Sequence, residues 1–362
     1  MKKLFVALLC FLSVHVHAAS KNKFTISGKV QDTIAGTVYL RNLVSATLDT
    51  ITIKDGIFNY TGSANEIIPM VIKKKKNRYQ LFFIGPGNKV DLMLNRKEMQ
   101  LTYFAGSPAH DIFRQLITKQ DPLQKTGEYI QQLMSVPNAN RDSLQAAILQ
   151  LNNERNANFY WFLKEYGNSE VAAFLIFSSI NQDRNIDAKL ADTMVSFLQE
   201  NALKSHFGKA VKKSIEKLRA VTIGYDAPDF VQPDSSGKIK YKLSDFKGKY
   251  VLVDFWLSWC GPSKAEIPFM KEAYTKFHDK GFEIFSVSLD DKCEAWKAAL
   301  RQFQMPWPQG SDCKGFRNEV NELYPIPSIP KTLLLDKTGK IIGADLRGPA
   351  LENKLKELLG DK

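Results

Sequence analysis

The segment W-L-S-W-C-G-P-S-K, residues 256–264, carries the side chain with the clearest capacity for covalent chemistry in this sequence. It follows the apolar run V-L-V-D-F-W-L (251–257) and precedes A-E-I-P-F-M-K-E-A-Y-T-K-F, which has helical spacing, so Cys260 belongs where a buried strand gives way to a helix. At that junction a sulfur sits beside unsatisfied backbone N–H groups and the positive end of the helix dipole, and both favour thiolate over thiol. A free thiol has a pKa near 8.5, and sites of this kind lower it to about 7 or below, a preference of about 2 kcal/mol for the ionised form. The chemistry open to such a thiolate is attack on a disulfide, with a mixed disulfide as the product. Pro262 suits the first helical turn, where its missing N–H costs little.

The other cysteines follow the same edge. Cys293 comes after the apolar run F-E-I-F-S-V-S-L (282–289), and Cys313 after M-P-W-P-Q-G-S-D. In a parallel sheet both lie near the carboxyl ends of strands, as Cys260 does. Cys260, Cys293 and Cys313 make one pair and one free thiol, and three arrangements stay open. Cys293 and Cys313 can be read as a clip that leaves Cys260 free, worth roughly 3 kcal/mol for a loop of about 20 residues. Either of them could instead resolve Cys260, or both could be reduced core residues. Asp254 lies within the otherwise apolar strand; a buried carboxyl must be paired or functional, and both readings stand. Trp256 and Trp259 either shield the thiol and shape a docking surface or simply pack. Lys264 and Glu266 tune the thiol or are exposed helix-face charges. His110, His206 and His278 are scattered, with no metal-ligand spacing to Cys260 and no visible Cys–His pair, so no metal and no cofactor is implied.

These residues need elements to hold them. The length of 362 residues, with 44% apolar and 24% charged residues, predicts a soluble chain of two or three domains and excludes collagen, coiled coil, disulfide scaffold and wholesale disorder. Residues 1–18 combine a charged start, an apolar middle and small residues at Val16 and Ala18: a secretory signal peptide cut after Ala18, Cys10 being apolar filling. Losing Lys2 and Lys3 takes the formal net charge from +12 to +10. The compartment is then periplasm or cell envelope, permissive of disulfides, with no membrane span after signal cleavage. Lys73 to Lys76 form the one dense basic run, without a nucleic-acid motif, and read as a solvated strand or hairpin end.

Residues 19–106 alternate like strands, about seven in number, with the hairpin turn Asp55-Gly56, and predict a small antiparallel β domain. Residues 107–220 show helical spacing at Ile148, Leu151, Phe159, Phe162, Leu163, Val195, Leu198 and Leu203: a helical segment linking or packing between its neighbours. There the run Phe159, Tyr160, Trp161, Phe162 reads as a buried seam rather than a ligand box. Residues 221–362 alternate strands with helices and predict an α/β sheet covered on both faces.

V-D-F-W-L-S-W-C-G-P-S resembles the active-site strand and turn of thioredoxins, and 221–362 resembles the TlpA-type envelope thiol–disulfide oxidoreductases within the AhpC/TSA–redoxin group. A-P-D-F (227–230), L-S-D-F-K-G-K-Y-V-L-V-D-F-W (243–256) and P-S-I-P-K-T (327–332) carry the likeness. Residues 24–106 resemble a β domain of unknown function that precedes such domains in Bacteroidetes proteins. The resemblance implies a thioredoxin-like C-terminal domain, a cis Ile329–Pro330 bond facing Cys260, a groove formed by Trp256, Trp259, Gly261, Pro262 and Ile329, and Asp254 as the buried acid that serves a second cysteine. Here the residue at that second position is Ser263, whose hydroxyl is hardly ionised and forms no disulfide, so position 263 cannot complete a dithiol cycle. Leu252 and Leu257 stand where the related peroxiredoxins place Pro and Thr or Ser, which disfavours a peroxidase. The expectation is monothiol disulfide exchange or isomerisation through Cys260, with exported thiol- or disulfide-containing proteins and an unknown envelope electron donor as partners. The alternative is a catalytically degenerate thioredoxin-fold binding module.

Overall fold

The computed structural model describes residues 22–31, 33–73, 79–95, 101–183, 186–326 and 328–360. The signal-peptide reading of 1–18, Lys74 to Lys76 of the basic run and Pro327 of the proline loop lie outside the described residues. The chain divides into two compact units, Met1–Asp183 with Asp192–Lys212 and Arg184–Ala191 with Lys213–Lys362. Among the described residues, no helix is long and apolar enough to cross a membrane.

The first unit holds β1 (Lys23–Val30), β2 (Ala35–Asn42), β3 (Leu48–Lys54), β4 (Ile57–Ser63), β5 (Ile68–Lys73), β6 (Tyr79–Ile84), β7 (Lys89–Leu94) and β8 (Leu101–Ala105). They form one sheet in the order β6-β5-β2-β3-β4-β1-β7-β8. Strict alternation in β1, where Phe24, Ile26 and Val30 are buried and their neighbours exposed, shows a sheet with one face on a core. Gly28 opposes Phe58 and Phe24 opposes Gly62, and a Cβ on Gly28 would come within 2.0 Å of the Phe58 ring, so each ring lies over its glycine partner. Two features go beyond the antiparallel, seven-stranded expectation. β5 is a further strand, and β1 pairs with β7 in parallel.

The helices that follow are α1 (Pro108–Met134), α2 (Arg141–Tyr166), α3 (Glu170–Gln182), α4 (Ala188–Val195), α5 (Glu200–Lys204) and α6 (His206–Arg219). Within the first unit, Phe83 of β6 meets Phe113 of α1 and Phe174 of α3 edge-on, so these helices cover the sheet. Phe162 is fully buried while Phe159, Tyr160 and Trp161 are half-buried, which makes the aromatic run the edge of a seam.

The second unit has a small hairpin, β9 (Val231–Pro233) and β10 (Lys240–Lys242), and a five-stranded sheet. Its strands are β11 (Tyr250–Trp256), β12 (Phe282–Ser288), β13 (Gln309–Gly310), β14 (Lys331–Leu335) and β15 (Ile341–Ala344), ordered β13-β12-β11-β14-β15. β11 runs parallel to β12 and antiparallel to β14, a mixed sheet of thioredoxin-like type. The helices are α7 (Gly261–Phe277), α8 (Cys293–Phe303), α9 (Glu319–Leu323) and α10 (Pro349–Leu359). Alternation along β11 sends Val251, Val253 and Phe255 into one core and Leu252 into another with Ile267, Met270 and Leu355, so apolar layers cover both faces of the central strand. That double cover explains the near-continuous apolar run in the sequence.

Candidate active site

β11 delivers the chain to the site. Trp256 O accepts from Leu289 N at 2.9 Å, then the chain turns, with Cys260 N donating to Leu257 O at 3.1 Å. Cys260 is the N-cap of α7 with φ −78° and ψ 112°, and Pro262 sits in the first turn. Helix formation starts there because Lys264 N donates back to Cys260 O at 3.1 Å. The turn is held from below by Asp290, which is 1% exposed. Its carboxylate accepts from Ser258 N at 2.9 Å, Ser258 Oγ at 2.8 Å and Ser288 Oγ at 2.6 Å.

Cys260 is a free thiol at intermediate exposure, and its Sγ lies 3.8 Å from Ile329 O. The Ile329–Pro330 peptide bond is cis. Arg347 braces this loop by donating to Pro330 O at 2.6 Å. Trp259 is 67% exposed, Gly261 and Pro262 are exposed and Ile329 is half-buried, so the turn that carries Cys260 presents open surface, while Pro330 itself is buried behind Ile329 in the chain. Cys293 and Cys313 form a disulfide with Cα atoms 5.3 Å apart, which leaves Cys260 as the free thiol among the described cysteines.

Trp256 does not line that surface, and the groove reading is corrected for this residue. It is 2% exposed and packs with Trp296 and Ala299 beneath α8. The reason is the pleat: Trp256 shares the face of β11 that carries Leu252 and Asp254, and helices cover that face. Asp290 and Arg347 were missed in the sequence. Asp290 had one signal, a carboxylate just past the end of a buried strand; Arg347 had none.

Ser263 is 2% exposed, and its Oγ has no hydrogen-bond partner. A thiol would tolerate that apolar setting better than a hydroxyl, which costs about 1–3 kcal/mol when buried unpaired. Asp254 is 3% exposed, opposite Ser286 on β12 and Thr332 on β14. Ser286 Oγ donates to Asp254 Oδ2 at 2.9 Å and accepts from Trp307 Nε1 at 2.9 Å. Burial lifts the Asp254 carboxyl to about 7; the Ser286 hydrogen bond opposes the shift, Glu266 adds to it and Arg347 counters it. Glu266 Oε2 also accepts from Gly348 N at 2.8 Å, at the start of α10, so it is more than an exposed helix-face charge.

The Asp254 shift predicts a pH signature. Between about pH 4 and pH 7 the folded chain keeps a proton that the unfolded chain has released, so stability falls as pH rises through that window. The full shift, from 3.8 to about 7, corresponds to about 4 kcal/mol at 1.36 kcal/mol per unit. Asp254→Asn should therefore stabilise the protein by about 2–4 kcal/mol at pH 8 and by little at pH 4. Urea melts at the two pH values check this, and an equal effect at both would contradict it.

A profile of the AhpC/TSA family matches residues 223–344, and a domain of unknown function (DUF4369) matches residues 24–113. The thiol-disulfide oxidoreductase ResA of Bacillus thuringiensis subsp. konkukian is 37% identical over 143 residues, covering 40% of this chain and 80% of that protein. The chain belongs to the AhpC/TSA family of thiol-disulfide oxidoreductases. A second relative of this AhpC/TSA chain, ResA of Bacillus subtilis, is 33% identical over 123 residues, covering 34% of this chain and 66% of that protein. The thioredoxin domain of a thiol-disulfide oxidoreductase from Bacteroides vulgatus is 38% identical, covering 38% of this chain and 99% of that one, with a TM-score of 0.37.

Proposed function

We propose that the protein is an exported monothiol member of this family, acting on disulfide-containing proteins of the periplasm or cell envelope through Cys260. The observation that carries the reading is a free, half-exposed Cys260 at the start of α7, with its sulfur against the Ile329 carbonyl, followed by a buried Ser263. The Cys260 thiolate attacks one sulfur of a client disulfide, the client S–S bond breaks, and the other client sulfur leaves as a thiolate. Ser263 cannot attack the mixed disulfide. A second client thiol can, which returns Cys260 as thiolate and leaves the client with a rearranged disulfide and no net oxidation. A donor thiol from elsewhere in the envelope, followed by a second one, instead leaves the client reduced and the donor oxidised. Asp254 is assigned here as a buried acid and Pro330 as part of the wall that receives the client chain. Trp259, Gly261, Pro262 and Ile329 form the rest of that surface.

Refolding of a scrambled, disulfide-bonded protein tests the reading. Catalysed reshuffling without added dithiol supports it. Failure to accelerate reshuffling, together with failure to form any mixed disulfide, contradicts it.

A further inference from the structure

The Cys293–Cys313 disulfide joins two half-cystines that are both only partly buried. Cys293 is the first residue of α8, after Lys292, which caps the helix without a side-chain hydrogen bond. A thiolate released at Cys293 lies in the first turn of an 11-residue helix, beside N–H groups without intrahelical partners, and that setting stabilises it as a leaving group. The nearby charges balance and do not decide the matter. Lys297 pairs with Glu294 at 3.7 Å and Lys314 with Asp312 at 3.6 Å, while Lys292 stands beside Asp291 in the chain. Cys313 has φ 55°, the left-handed region that residues with a Cβ avoid, so the loop carrying it holds local backbone strain.

The same loop reaches the Cys260 turn by two routes. Gly315 N donates to Asp290 O at 3.2 Å, Ser311 Oγ to Ser288 O at 2.8 Å and Cys313 N to Ser311 Oγ at 3.1 Å. Asp290 is the residue whose carboxylate holds Ser258, two positions before Cys260. Cys313 also packs against the Trp256 and Trp296 cluster, and Trp256 ends the strand that leads into the turn.

We propose that Cys293–Cys313 is a second redox centre, opened by dithiol reductants with Cys293 as leaving group, whose opening slackens the Asp290 clamp and raises the reactivity of Cys260. The inference rests on Cys260 being the reacting thiol. A dithiol thiolate attacks Cys313 Sγ, the S–S bond breaks, and Cys293 leaves as thiolate. The second dithiol thiol loses its proton, attacks the mixed disulfide and releases Cys313. The reductant becomes a disulfide, and the two half-cystines take up its two electrons.

The test equilibrates the full chain in dithiothreitol buffers of graded potential, tags free thiols, maps them by mass spectrometry and times the alkylation of Cys260 by iodoacetamide. Opening is expected with an unchanged circular dichroism spectrum, and Cys260 alkylation should become about tenfold faster in step with it. The double variant Cys293→Ala, Cys313→Ala should show the fast rate without reductant. The proposal is overturned if the bond opens only together with loss of fold. It is also overturned if Cys260 alkylates readily but at rates within about twofold in the oxidised, reduced and double-variant proteins; that result leaves the proposed function standing. A Cys260 that reacts in none of the three forms overturns both.

Discussion

Cys260→Ser is expected to lower disulfide exchange by at least about a thousandfold, to the uncatalysed background. The size of the loss follows from the cysteine inventory. Cys293 and Cys313 are paired, so no other described thiol is free to attack a client disulfide. Serine at 260 keeps the shape of the side chain but is not ionised at neutral pH. Cys260 is also only partly buried at the start of α7, so the substitution should shift stability by within about 0.5 kcal/mol. Insulin reduction driven by reduced glutathione, a monothiol rather than a dithiol, followed by turbidity beside a circular dichroism spectrum, separates lost chemistry from lost fold while the Cys293–Cys313 pair stays closed. A variant that kept wild-type exchange would move the active sulfur away from residue 260.

The second large effect runs the other way. Ser263→Cys should raise the rate of complete disulfide reduction by about a hundredfold or more, because an attacking thiol on the same helical turn replaces an encounter with a thiol from solution. The site is prepared for it. Ser263 is 2% exposed with an Oγ lacking any partner, so a thiol removes an orphan hydroxyl and should add about 1 kcal/mol of stability to the reduced protein. The gain is read in the same insulin assay, with denaturant melts of the reduced form alongside. No gain in rate, with Cys260 and the introduced thiol both reduced and the fold intact, would show that the buried acid and the cis-proline wall are not arranged for exchange.

The chemical centre was legible because its parts are local in sequence: an apolar strand, a Cys, a Gly-Pro turn and a helix follow one another within about 30 residues. What stayed hidden depends on distance across the fold. The three open cysteine arrangements separate only in space, where Cys293 and Cys313 meet. The family resemblance implies a groove position for Trp256, yet the pleat of β11 turns it under α8. Asp290 lies 32 residues from Ser258, and nothing in either local sequence announces their hydrogen bonds. Strand β5 was missed for a local reason. Pro69 stands second in Ile68–Lys73, and proline ordinarily demotes a strand, but β2 pairs only from Met70 onward, so the missing N–H falls outside that ladder. The parallel β1–β7 pairing is likewise a tertiary choice that alternation alone does not encode.

In the proposed function, Cys260 takes up a client sulfur which Ser263 cannot release. The most direct test of this step is intact-mass and peptide-map spectrometry of the full chain mixed with a disulfide-bonded peptide and quenched in acid. One peptide per protein is expected, bound at Cys260, long-lived in the wild type and fleeting in Ser263→Cys. An unmodified Cys260, or adducts confined to Cys293 and Cys313, would contradict it.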